Sequence, residues 1–212
     1  MYAQKLSAAQ QLFVLDEFDI VKILDELVAI GATSIKVLTD EFRMALLQEA
    51  EGYVYEVEDE VVGSGDSTVH QHMSSCSNFS NESNYYLLQN AFHALLDAAF
   101  AKLDVYPFTT RLNLNALVLQ KYDEGSRGIT PHRDQLSYIN LVCVFMIEGQ
   151  GRFCLCADRA GNDSYAIDAT PGRVIFMRAP GLLGATKRPF HYVTDIQAPR
   201  YTFGVRQHRD RA

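Results

Sequence analysis

The hydrophobic positions in the first hundred residues recur mainly with the period of an amphipathic helix. In three segments, apolar residues are spaced three and four positions apart and follow a residue that can cap a helix N-terminus. These segments predict three helices. They begin after Asp19, Thr39 and Ser83, and the first and third end near Gly31 and Leu103.

Two further segments of this half lack the helical period. Residues 53–57 are mostly aromatic and β-branched, a composition that favours a strand. Residues 62–83 are rich in Ser and Gly and show no apolar period. A polar connection of this length is typical of a lid or a binding loop, so we predict a polar lid loop here.

From residue 108 the hydrophobic pattern changes to short β-like runs separated by turns that contain Gly or Pro. Many short strands at this spacing predict a sandwich or jelly roll. We therefore predict an α+β fold in a single domain, 1–212, whose helical and lid region (1–107) packs on one sheet of a β core (108–208). The predicted strands are 112–122, 138–147, 152–157, 164–168, 173–178, 191–196 and 200–207.

Three residues of the β half are candidate metal ligands. His132 and Asp134 are two positions apart, and side chains at i and i+2 of an extended segment point the same way. His191, at the start of a later strand, supplies a third ligand. Two imidazoles and one carboxylate on one side of an ion form the facial triad of non-haem Fe(II) oxygenases. By itself, a His-x-Asp pair is more typical of two side chains that merely pair at a strand end.

Arg200 makes the metal interpretation more specific. It lies nine residues after His191 and follows Pro199. We predict that these two strands are antiparallel neighbours joined by a turn, which would set Arg200 beside His191 inside the β core. A guanidinium buried there requires an anion, and it binds a carboxylate through two hydrogen bonds.

In this order the residues resemble the Fe(II)/2-oxoglutarate dioxygenase superfamily over roughly 112–208, and the nearest pattern is similar to that of AlkB-type proteins. Those proteins carry Asn-x-Tyr, then Gly, then His-x-Asp, and close with Arg-x-Asn-x-Thr-x-Arg. Here Tyr122, Gly125, Arg200 and Arg206 match, while Gln120 and Thr202 replace the two asparagines and Gly204 replaces the Thr.

The resemblance implies a double-stranded β-helix and an oxygenase that uses Fe(II), O2 and 2-oxoglutarate as cosubstrate. Iron would be held by the His132, Asp134 and His191 side chains, and the distal carboxylate of 2-oxoglutarate by Arg200. The substrate would be oxidised, most simply hydroxylated, while 2-oxoglutarate is decarboxylated to succinate and CO2. The other implied cofactor-binding residues are Tyr122, Gln120, Thr202 and Arg206, the last near the metal-binding carboxylates.

The distribution of charge bears on the second substrate. The chain has 19 Lys and Arg against 26 Asp and Glu, a net charge of -7, and residues 1–100 hold 16 of the acidic but only four of the basic residues. An acidic lid region (53–83) disfavours a phosphate-rich ligand. In addition, Leu136 occupies the position where AlkB-type proteins carry a second acidic residue for the damaged base.

We therefore favour hydroxylation of a small molecule. Three alternatives stay open: an AlkB-like oxidative demethylase of alkylated nucleic acid, a hydroxylase of protein side chains, and an inactive cupin-like protein that only binds a metal or ligand. Candidate contacts to the substrate are Tyr138 and Asn140 near the expected mouth of the core, Arg178, and the lid histidines His70 and His72.

The remaining features of the sequence bear on where in the cell the protein is located. The chain has no run of about 18 apolar residues that could form a membrane helix, and its first residues lack the pattern of a signal peptide. Three of its four cysteines lie in apolar, strand-like runs, which is typical of reduced thiols. We expect a cytoplasmic protein that does not associate with membranes.

Overall fold

The structure is a computed structural model that describes residues 11–211 of the chain. Its helices are α1 (Ile20–Ala29), α2 (Asp40–Glu51) and α3 (Asn84–Phe100), with a short 3-10 turn at Gly65–Ser67. Its strands are β1 (Ala32–Lys36), β2 (Glu56–Val57), β3 (Val61–Val62), β4 (Val69–His72), β5 (Ser74–Cys76), β6 (Ala116–Tyr122), β7 (Gly128–His132), β8 (Tyr138–Glu148), β9 (Arg152–Cys156), β10 (Tyr165–Ile167), β11 (Arg173–Arg178), β12 (Phe190–Thr194) and β13 (Arg200–His208).

The three helices begin where the sequence predicts, because each has its capping side chain in place. The Asp19 carboxylate accepts hydrogen bonds from two backbone N–H groups of the first turn of α1. The Thr39 hydroxyl accepts a hydrogen bond from one backbone N–H group of α2, and the Ser83 hydroxyl accepts one from α3. These bonds satisfy backbone donors that have no partner within the helix.

Two antiparallel sheets face each other. The first has seven strands in the order β1-β11-β8-β13-β6-β5-β2, and the second has six in the order β10-β9-β12-β7-β4-β3. The predicted α+β class with a β sandwich at its centre is therefore confirmed.

Strand β8 shows how the seven-stranded sheet is buried on both faces. Its odd-numbered residues from 141 to 147 pack against the helices, whereas its even-numbered residues from 142 to 146 belong to the apolar cluster between the sheets. On the helix side, the ring of Phe92 in α3 meets that of Phe145 edge-on at a centroid distance of 4.8 Å. The helices thus cover one face of this sheet, as predicted. No helix in residues 11–211 combines the length and the hydrophobicity that crossing a membrane would require.

The first half of the chain also contributes strands, which the sequence analysis largely misses. Strand β1 extends the seven-stranded sheet by pairing with β11. The segment 62–83, predicted as a loop, contains β4 and β5, which pair with β7 and β6 in opposite sheets. The loop prediction is wrong because these short strands gain their stability from the two sheets they extend, and a polar composition does not reveal such partners.

The predicted pairing of the strands that carry His191 and Arg200 is also wrong. Strand β12 pairs with β7 and β9 in one sheet, whereas β13 pairs with β6 and β8 in the other. The connection at residues 195–199 crosses from one sheet to the other, so a short loop does not produce a hairpin here. The two residues face each other across the sandwich instead of lying side by side.

Two glycines allow a test of the packing between β7 and β12. Gly128 and Gly125 have positive φ angles of 72° and 76°, respectively. A Cβ atom added at Gly128 would overlap the backbone carbonyl of Val193, whereas a Cβ atom added at Gly125 would meet no atom of the described residues within 4 Å, its chain neighbours aside. We expect Gly128→Ala to lower the free energy of unfolding by about 3 kcal/mol, and Gly125→Ala by only about 1 kcal/mol. Equal losses in urea denaturation of the two variants would contradict this account of the strand contact.

Candidate active site

A cavity of about 480 Å³ opens between the two sheets. Its apolar walls include Val144 and Met177 from the seven-stranded sheet, and Phe153 and Val193 from the six-stranded sheet. All three candidate metal ligands, and all five predicted cofactor-binding residues, line this cavity. The structure therefore brings together residues that are up to 86 positions apart in the sequence (120 to 206).

A bulge in β7 turns His132 into the cavity. His191 pairs with His132, and Val193 pairs with Ile129, so two steps along β12 correspond to three along β7. In a regular strand, Ile129 and His132 would point to opposite faces, but the extra residue reverses the alternation. Both side chains therefore line the cavity, and Asp134 follows immediately after the strand.

The three candidate metal ligands converge on one point. One potential ligand atom from each of His132, Asp134 and His191 lies within 4.8 Å of the others. The Nε2 atom of His191 is 3.9 Å from a carboxylate oxygen of Asp134, and the two imidazole centroids are 4.3 Å apart. This spacing fits a single ion between the three side chains and leaves its cavity side open.

Backbone carbonyls orient both imidazoles. The Nδ1 atom of His132 is 2.9 Å from the carbonyl oxygen of Thr130, and that of His191 is 3.4 Å from the oxygen of Pro189. A carbonyl can only accept, so each Nδ1 carries the hydrogen and each Nε2 presents its lone pair. The ring of Phe153 stacks on His191 at 5.4 Å and further restricts its orientation.

Burial and neighbouring charges set the protonation of the three groups. Burial, followed by the positive charge on His191, lowers the pKa of His132 to about 4. Burial also lowers the pKa of His191. For Asp134, burial acts to raise the pKa, but the charges of His191 and Arg206 outweigh it and the pKa is lowered. At neutral pH the site thus presents two neutral imidazoles and a carboxylate, the forms that bind a metal.

Arg200 is buried at the opposite wall with only 2% of its surface exposed. Its guanidinium lies 5.4 Å from the ring centroid of Tyr122, with which it is paired in register, and 3.2 Å from the sulfur of Met146. Within residues 11–211, no carboxylate lies within 4.0 Å of it. A buried guanidinium without a counterion is a site for an anionic ligand.

Two polar residues continue this wall of the cavity. Thr202 pairs with Gln120 across β13 and β6, and the Thr202 hydroxyl is 3.5 Å from the Gln120 amide oxygen. The amide nitrogen of Gln120 is directed to the sulfur of Met73, at 3.2 Å. These weak contacts leave both side chains available to a bound ligand.

The structure separates the predicted substrate contacts into two groups. Tyr138 lines the cavity. Asn140 is fully buried and donates to Thr110 and Gln207, and Arg178 donates to backbone carbonyls at the end of α1. His70 and His72 are exposed on β4, whereas the alternate residues of that strand, Val69 and Gln71, face the cavity. The structure does not bring these two histidines, Asn140 or Arg178 to the cavity.

Sequence reasoning also missed residues that line the cavity. Val69, Gln71 and Met73 enter it because β4 extends the six-stranded sheet. The alternation of these residues with His70 and His72 was a usable signal of a strand. Arg133 lines the cavity as well, because β7 ends at His132 and the alternation of a strand no longer applies beyond it.

Comparisons with known proteins identify the fold. No protein-family model and no curated protein sequence matches the chain. A prolyl hydroxylase from Trichoplax adhaerens, solved with a peptide fragment of the hypoxia inducible factor oxygen degradation domain, has a TM-score of 0.64 at 14% identity over 89% of this chain and 88% of that one. A prolyl-4-hydroxylase from Pseudomonas putida has a TM-score of 0.60 at 15% identity, over 89% and 98% of the two chains.

A third solved structure is that of a biosynthetic enzyme. The non-heme α-ketoglutarate-dependent epimerase SnoN from nogalamycin biosynthesis has a TM-score of 0.61 at 15% identity, over 87% of this chain and 80% of that one. The chain has the fold of the 2-oxoglutarate Fe(II) oxygenases. This oxygenase fold is the double-stranded β-helix that the resemblance implies.

The geometry of the three ligands predicts metal binding that can be measured without turnover. We expect the protein to bind one equivalent of Co(II) or, anaerobically, Fe(II) in isothermal titration calorimetry. His132→Ala and Asp134→Ala should each weaken binding at least about tenfold, because each removes one of only three ligands. His70→Ala, which alters an exposed histidine outside the cavity, is the matched control. Unchanged affinity in both ligand variants would show that the metal site lies elsewhere.

Proposed function

We propose that this protein is an Fe(II)- and 2-oxoglutarate-dependent dioxygenase that hydroxylates a small molecule. The observation that carries the proposal is that the His132, Asp134 and His191 triad and the unpaired, buried Arg200 share one cavity. A cupin-like protein that only bound a metal would have no use for the buried guanidinium.

The residues present fit both groups. Two neutral imidazoles and a carboxylate at 4.8 Å or less from one another suit Fe(II), and they occupy one side of it. Arg200 supplies a bidentate partner for the distal carboxylate of 2-oxoglutarate, and Tyr122, Gln120 and Thr202 lie around it as hydrogen-bonding neighbours. When bound, Fe(II) and 2-oxoglutarate would supply the oxidative chemistry, in which O2 hydroxylates a C–H bond as 2-oxoglutarate is decarboxylated to succinate and CO2.

The protein's own contribution is positioning, charge and exclusion of water. The carbonyls of Thr130 and Pro189 hold the hydrogen on Nδ1 of each imidazole, so that Nε2 is free to bind. Burial of Arg200 strengthens its attraction to a carboxylate, since little solvent screens the charge. The apolar side chains of Val144, Phe153 and Met177 keep the remaining space dry.

The size of the cavity supports a small second substrate. About 480 Å³ has to hold the cosubstrate as well as the group that is oxidised. Of the related folds, one is described as an enzyme of nogalamycin biosynthesis, and this favours a small molecule. The prolyl hydroxylase solved with a peptide fragment makes a protein side chain the second candidate.

Two finer assignments belong to the same proposal. The resemblance to AlkB-type proteins rests on the sequence motif alone, and Leu136 is exposed rather than part of the cavity lining, so nucleic acid is the less favoured substrate. We also propose a cytoplasmic location, since all four cysteines are free thiols.

The role of Arg200 predicts a selective kinetic defect. We expect Arg200→Gln to raise the KM for 2-oxoglutarate at least about tenfold, because the variant loses a charged, bidentate contact. The measurement is succinate formation with Fe(II) at varied 2-oxoglutarate concentration. Arg111→Gln, at a side chain that is 85% exposed, is the control. If the KM of Arg200→Gln for 2-oxoglutarate equalled that of this control, the assignment of Arg200 to the cosubstrate would be wrong.

A further inference from the structure

A second buried arginine, which the resemblance places near the metal-binding carboxylates, lies in the cavity with Arg200, although one guanidinium suffices for the distal carboxylate of 2-oxoglutarate. Arg206 is 8% exposed, and its guanidinium lies 5.3 Å from the ring centroid of Tyr138. Its side chain folds back over Gly204, where an added Cβ would come within 2.5–2.9 Å of three guanidinium atoms. The absence of a side chain at 204 therefore gives this guanidinium its place along the cavity wall.

Arg206 has no anionic partner among residues 11–211. Its Nε atom is buried without any hydrogen-bond partner, and no carboxylate lies within 4.0 Å of the guanidinium. Burying such a charge without a partner is costly, so a bound anion is the natural completion of this part of the cavity.

A charge count shows how much negative charge the complete site requires. Of the charged side chains that line the cavity, Asp134 and Glu58 contribute two negative charges, and Arg133, Arg200 and Arg206 contribute three positive charges. The two positive charges of Fe(II) and the two negative charges of 2-oxoglutarate cancel each other. The filled cavity thus keeps one positive charge, which a monoanion would neutralise.

Further arginines make the rim positive on the metal side. Arg133 lines the cavity and lies 4.0 Å from the ring centroid of Phe190, and Arg188 donates to the backbone carbonyl of Asp134. Neither has a carboxylate within 4.0 Å in the described part of the chain. This rim would attract an anion toward Arg206.

From this arrangement we infer that the second substrate is a small carboxylic acid whose carboxylate binds Arg206 beside the metal site. The inference rests on the proposed function, and it deepens it by naming the substrate class. A carboxylate suits the single surplus charge, whereas a phosphate dianion would overcompensate it and would face Asp134 and Glu58, which line the same cavity. The apolar walls accommodate the hydrocarbon part of the acid. Hydroxylation would consume the acid, O2 and 2-oxoglutarate, and yield the hydroxy acid, succinate and CO2.

The experiment measures binding without turnover. The protein is loaded with Zn(II), which is redox-inert, and saturated with 2-oxoglutarate, whose binding is recorded first. Hexanoate, phenylacetate and N-acetyl-leucine are then titrated by calorimetry, each against its neutral primary amide. We expect at least one acid to bind tenfold or more tightly than its amide. Acids that bind no better than their amides would overturn the inference while leaving the proposed function intact.

Variants then locate the anion site. We expect Arg206→Gln to abolish the preference for acid over amide, Arg206→Lys to restore part of it, and the exposed control Arg111→Gln to retain it. If Arg206→Gln weakened the binding of 2-oxoglutarate and left the preference for acid over amide unchanged, Arg206 would bind the cosubstrate and the inference would be wrong. If thermal melting shows that Arg206→Gln does not fold, the comparison of acids with amides on the unmodified protein decides whether the inference holds. If 2-oxoglutarate itself does not bind the Zn(II) protein, the proposed function fails, and this inference fails with it.

Discussion

The alternation of side chains along β13 is the constraint on which the polar wall of the cavity depends. Tyr201, Phe203 and Val205 of β13 belong to the core beneath the helices, so the residues between them have to face the other sheet. These intervening positions carry Arg200, Thr202, Gly204 and Arg206. One strand therefore supplies both half of a hydrophobic core and the polar wall of the cavity. A shift of register by one residue would bury the arginines among the aromatic rings.

Buried positive charge is the second organising feature of the site. Arg200 and Arg206 lie six positions apart on the same face of β13, and each guanidinium packs on an aromatic ring, that of Tyr122 or Tyr138 respectively. Such contacts compensate only part of the cost of removing a guanidinium from water. The apolar clusters on both faces of the sheet supply the stability that lets the fold retain these uncompensated charges. Glu58 and the arginine-bearing rim give the cavity charges of both signs.

Much of this arrangement could be predicted from local signals in the sequence. Caps and helical periods located α1 to α3, and the spacing of His132, Asp134, His191 and Arg200 predicted the residues that meet in the cavity. What could not be predicted depends on partners distant in sequence. The bulge in β7 is visible only in its pairing with β12, and the crossing at residues 195–199 replaces the hairpin that the short connection suggests. Asn140 donates a hydrogen bond to the Gln207 side chain and Arg178 donates to the Leu27 carbonyl, and the sequence does not reveal these partners.

The central claim is that one cavity binds a metal through His132, Asp134 and His191 and a dicarboxylate through Arg200. A crystal structure of the protein grown anaerobically with Mn(II) and 2-oxoglutarate tests it most directly. The account predicts a metal about 2.0–2.2 Å from both Nε2 atoms and from the Asp134 carboxylate. It also predicts the distal carboxylate of 2-oxoglutarate on the Arg200 guanidinium. A metal bound away from this triad, or a cosubstrate whose distal carboxylate does not contact Arg200, would contradict it.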